Sequence, residues 1–91
     1  MKNCIRYICA SDSLPLIESA LALDGYQVEL PRQQSSGGAS ALIMSRSSTF
    51  ILIGDEPPRA RGLIEVWGAQ PAAAAQLLES LPISLIRQLR V

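Results

Sequence analysis

The chain contains no histidine. That absence removes the commonest general base and the commonest metal ligand at once, and no Ser-His-Asp or Cys-His site can be built within it. Cysteine occurs only as Cys4 and Cys9. On one extended segment these thiols stand ~16 Å apart and on opposite faces, which excludes a disulfide between them and a closed zinc site of the usual N/S kind. Lysine is also nearly missing. Lys2 is the only one, and the remaining basic residues are arginines. Eight basic and eight acidic residues give a net charge of zero, so the basic excess that phosphate contacts demand is lacking. No window approaches the ~20 apolar residues of a spanning helix. Met1 to Ala10 has no continuous apolar run of the secretory type. Cysteines that cannot pair, without a leader, point to a reducing cytoplasm.

What is present is an ordinary globular balance, 48% apolar and 18% charged in 91 residues, which is expected to form a single α+β domain over residues 1–91. Two similar stretches read as strand, helix, strand. The first runs from Cys4 to Cys9, through a helix at about Leu14–Asp24, to Tyr26–Leu30. Pro15 falls in the first helical turn, where a missing N–H does little harm; Leu14, Ile17 and Leu21 recur at helical spacing; Gly25 suits the residue after the helix. In the following strand Tyr26, Val28 and Leu30 alternate as an inward face, and Pro31 is expected to end it. The second stretch runs from Leu63 to Trp67, through a helix at Pro71–Leu81, to Ile83–Val91. This last segment alternates as a strand but also fits an amphipathic helix. The strand completes the repeat.

Between the two units, Ser35 to Gly38 reads as a flexible loop. Ala41–Met44 and Phe50–Ile53 read as a hairpin around Ser45 to Ser48. Phe50–Ile53 is apolar on both faces and belongs in the middle of the sheet. The expected architecture is a two-layer sandwich, a mixed sheet of five to six strands with both helices on one face. This ordering resembles a ferredoxin-like fold with an inserted hairpin, a likeness of fold that carries no function.

Candidate chemistry is sparse. Cys9 precedes a helix start, where a thiol can be activated, but a small buried residue is the commoner state of such a cysteine. Asp55 and Glu56, joined by Asp12, are weak candidates for holding a hard cation. The alternative is a Gly-Asp-Glu-Pro-Pro turn. Arg59 and Arg61, with Arg32 and Arg46, are candidates for an anion or nucleic-acid contact, yet the central strands offer only Phe50 and Tyr7 for base stacking. Trp67 shares a face with Leu63 and Glu65. It is either an interface anchor or core beneath the second helix.

The expected function is that of a small non-catalytic protein-binding or regulatory module acting through association. Its expected partner is another protein or a second copy, with no cofactor, membrane or nucleic acid. The alternatives are a nucleic-acid-associated protein using the loop arginines and a small enzyme using Asp12, Asp55 or Glu56.

Overall fold

A computed structural model describes residues 4–35 and 37–88. The last three residues of the expected final strand lie outside the described residues. The strands are β1 (Ile5–Ala10), β2 (Gln27–Gln34), β3 (Ser40–Arg46), β4 (Thr49–Glu56), β5 (Arg61–Gly68) and β6 (Ile86–Gln88). The helices are α1 (Leu14–Leu23) and α2 (Pro71–Glu79). The six strands form one open sheet in the order β2-β3-β4-β5-β1-β6.

Every pairing in that sheet is antiparallel, which corrects the expected mixed sheet. The reason lies in the crossovers. The chain leaves β1 through α1 and later enters β4, which runs parallel to β1 but is separated from it by β5. It leaves β5 through α2 and enters β6, with β1 between them. Parallel strands therefore exist but never touch. The strand that directly follows α1 is not the return strand of the first unit. Instead β2 pairs with β3 and lies outside β4 as the sheet edge.

That edge position corrects two further expectations. Val28 is 58% and Leu30 44% exposed rather than inward. Pro31 does not end the strand, which continues to Gln34. An edge strand tolerates proline because one row of its N–H groups has no partner to lose, and here the register shifts between Leu30 and Gln33, a bulge that takes up Pro31.

Local sequence explains the helices. Pro15 and Pro71 sit in their first turns. The end of α1 is a Schellman motif. Gly25, at φ +98°, lets the Gly25 N–H reach the Ala22 carbonyl and the Tyr26 N–H reach the Leu21 carbonyl. At α2 the Gln70 N–H donates to Thr49 Oγ1 at 3.0 Å, so a strand residue caps the helix. The β3–β4 hairpin turns through Ser47 and Ser48, both at positive φ (49° and 61°), a two-residue turn whose twist suits the strands.

Both helices cover the same face of the sheet. Leu14, Ile17 and Leu21 of α1 and Ala74, Ala75 and Leu78 of α2 join Tyr7, Cys9, Leu42, Met44, Ile51, Ile53, Ile64 and Val66 in one buried cluster. The strand members of this cluster stand opposite one another in register: Tyr7 by Ile64 by Ile53 by Leu42, and Val66 by Ile51 by Met44. Side chains such as Ile51, Ile64 and Leu78, wholly withdrawn from water, each contribute about 1.5–3 kcal/mol. No helix among the described residues is long and apolar enough to cross a membrane.

Candidate interaction surface

Side chains along a strand alternate between faces, so the residues between the core positions form the second face of the same sheet. In register across it run Ile86, Ile8, Leu63, Gly54 and Ala41. The next row holds Gln88, Arg6, Glu65, Leu52, Ile43 and Leu30. The third holds Trp67, Phe50 and Ser45. Neither helix packs here, because both lie over the opposite face. Among the described residues, Ile8, Ile43, Phe50, Leu52, Leu63 and Trp67 are therefore half-buried by one another and by neighbouring strands.

Trp67 and Phe50 are directly opposite in register and stack with ring centroids 5.8 Å apart and an interplanar angle of 20°, a geometry that adds about 0.5–1.5 kcal/mol beyond area burial. The charges of this face are satisfied within it. Arg6 Nε donates to Glu65 Oε2 at 2.9 Å, and its Nη2 lies 2.6 Å from the same oxygen. At the far end Arg61 Nε and Nη2 donate to Glu56 Oε1 at 2.9 and 2.7 Å.

The sequence candidates separate in space. Trp67 lies on the uncovered face, opposite Phe50, and not beneath α2. Arg61 is at the opposite end of β5, ~20 Å along the strand from Trp67, and is held by Glu56. Arg59 sits in a short 3-10 turn, Pro57–Arg59, and is exposed. Arg46 is spent on the end of α1: its Nη1 donates to the Asp24 carbonyl and to Asp24 Oδ2, and the guanidinium lies 5.4 Å above the Tyr26 ring. Arg32 Nη2 donates to Glu18 at 2.7 Å and its Nη1 to Ser40, tying edge strand β2 to α1.

The three candidate carboxylates do not converge. Asp55 and Glu56 belong to β4 rather than to a turn. Asp55 points to the helix side and accepts from Ser11 Oγ at 2.5 Å, Glu56 faces Arg61 on the other side, and Asp12 lies in the turn before α1. No cluster of three or more ligating side chains forms among the described residues. Cys9 is buried, and no disulfide joins it to Cys4. Burial, reinforced by the nearby Asp55 carboxylate, pushes its thiol pKa up. This is the opposite of an activated nucleophile.

Compared with known proteins, the chain matches no family model and no curated protein. The surface must therefore be understood from its own residues. Sequence reasoning singled out Trp67 but missed its companions. The signal was present in Phe50–Ile53, where both faces are apolar. That pattern predicts a strand in the middle of the sheet, and β4 does lie between β3 and β5; its second apolar row, Phe50 and Leu52, falls on the face without helices.

Proposed function

We propose that this protein is a non-catalytic association module whose working surface is the uncovered face of its sheet. The observation that carries the reading is the stacked pair Trp67 and Phe50 set among Ile8, Ile43, Leu52 and Leu63, with no helix over them. Apolar surface of this kind marks interaction sites, and aromatic side chains are enriched among the residues that supply binding energy. The topology supports a ferredoxin-like reading in which β1, β4, β5 and β6 form the basic unit and the β2–β3 hairpin is inserted at the edge. A buried thiol at Cys9 with no bond to Cys4 fits a reducing compartment, so we take the cytoplasm as the place of action.

The alternatives have less support. Arg6, Arg32, Arg46, Arg61 and Arg87 each face a carboxylate within 4 Å, which neutralises the cations that phosphates would need. Of the acids of the enzyme reading, Asp55 accepts from Ser11 and Glu56 from Arg61, and Asp12 lies apart in the turn before α1.

The test is a photo-crosslinking side chain placed at Trp67, or at Leu23 on the helical layer, in the producing cell. Position 67 should form protein adducts and position 23 should not. Equal capture at both positions, or none at 67, would remove the reading.

A further inference from the structure

We infer that the occupant of this face is a second copy of the same chain, packed sheet against sheet to give helices, sheet, sheet, helices. The inference rests on the association reading above and names its partner.

Charge is the first argument. The middle of the face carries a cation and an anion already joined, Arg6 and Glu65; a second joined pair, Arg61 and Glu56, stands at its far end, Ser45 donates to Glu29 at the β2 side, and apolar side chains make up most of the rest. The face presents nothing that would select a charged ligand. In an isologous pair the same patch meets itself, so apolar rows meet apolar rows and no unpaired charge is buried. The chain as a whole has zero net charge and does not repel its own copy.

Area is the second. Six strands at ~4.8 Å spacing give a width of ~24 Å, and strands of this length run ~20 Å. The projected face is roughly 500 Å², more once side-chain relief is counted, which approaches the ~800 Å² per partner of a standard interface. Twisted sheets stack face to face at ~10 Å with their strands ~30° apart, and the two large aromatics of this face can fill such a layer.

The third argument is that the edges are poor alternatives. The β2 edge is interrupted by two register shifts and by Pro31, devices that blunt strand addition. Among the described residues the β6 edge spans Ile86–Gln88, a short template for an extended pairing. Association is directed to the face.

Sedimentation equilibrium of the purified full chain, from about 1 to about 200 µM, tests the inference. A dimer is expected at the upper concentrations, with Trp67 emission shifting to the red on dilution as the face returns to water. Leu52→Lys places a charge in the middle of the face and should weaken the dimer at least about 100-fold. Leu23→Lys adds the same charge on the helical layer, at a residue 90% exposed, and should leave the dimer intact. A wild-type protein that stays monomeric throughout overturns the inference, as does an unchanged dimer in Leu52→Lys. Should Leu52→Lys fail to fold, the concentration dependence of Trp67 emission in the wild-type protein decides alone, and its absence is a refutation. A monomer whose position 67 still crosslinks to a different protein defeats the second copy and spares the association reading. A monomer with no adducts defeats both.

Discussion

Tyr7→Phe removes one oxygen from the centre of the molecule, and its effect should depend on pH in a defined way. The Tyr7 ring is wholly buried, and its hydroxyl donates to Glu79 Oε2 at 2.5 Å. Arg87 lies 3.3 Å from the same oxygen, so the variant leaves Glu79 a partner and opens little space. A hydrogen bond to a charged group contributes about 1.5–3 kcal/mol, and the partial exposure of Glu79 puts this one near the lower end. At pH 7 the variant should be less stable by about 1.5 kcal/mol. Burial first, then the Glu79 hydrogen bond and charge, raise the Tyr7 pKa above its ordinary value. A group whose folded-state pKa is raised contributes fully below its unfolded pKa, and that contribution drains away as pH climbs above it. The unfolded phenol ionises near pH ~10, so at pH 11 the wild-type protein should have lost about 1.4 kcal/mol that phenylalanine cannot lose. The gap between the two proteins should therefore close to nearly zero. Cys9 and Tyr26 are raised as well, but they are common to both proteins and cancel in the difference. Urea denaturation at pH 7, 9 and 11 measures it. A gap that is absent at pH 7, or that persists undiminished at pH 11, refutes the reasoning.

Two further substitutions test the frame that holds the sheet. Gly68→Ala should cost about 2–4 kcal/mol in chemical denaturation, because Gly68 has φ +112° and an added Cβ would overlap the Ser48 carbonyl and lie 3.0 Å from Thr49 Cα. A loss under about 0.5 kcal/mol would show that this close strand approach is relaxed. Thr49→Val keeps shape at a residue 2% exposed but leaves the Gln70 N–H without its acceptor. It should cost about 1 kcal/mol and raise amide exchange at the start of α2, while the start of α1 is unaffected.

The helices were legible in the sequence because their signals are local. Pro15 and Pro71 mark the starts, Gly25 marks an end, and Leu14, Ile17 and Leu21 repeat at one spacing. The neighbours of β1 and β4 were not legible, because alternation reports which face a residue takes and not which strand lies beside it. The same limit hid the role of β2. Tyr26, Val28 and Leu30 alternate as cleanly as any core strand, yet only Tyr26 is covered: Val28 stands at the sheet edge, and the register shift after it pairs Leu30 with Ile43 on the other face. The β3–β4 hairpin was legible around Ser45 to Ser48, but not its tight two-residue turn, because the positive φ values fall on serines rather than on Asn-Gly. The interaction surface was half visible. Trp67 stood out by its rarity, but its apolar setting of Ile8, Ile43, Phe50, Leu52 and Leu63 depends on cross-strand register, which pattern alone does not give.

The placement of β1 bears on the order in which the chain can come together. β2 to β5 is a succession of neighbouring strands, each paired with the next one in sequence, so their contacts close over short loops at small entropic cost. β1 has no such neighbour. Its flanking strands are β5, beginning at Arg61, and β6, beginning at Ile86. An amino-terminal piece of the chain ending before Arg61 holds β1 with neither flank. β1 is thus paired only after β5 has been made, and its apolar residues Tyr7, Ile8 and Cys9 must wait unburied in the sheet sense until then. The longest-range strand pairings among the described residues, and hence the slowest closures, fall on β1.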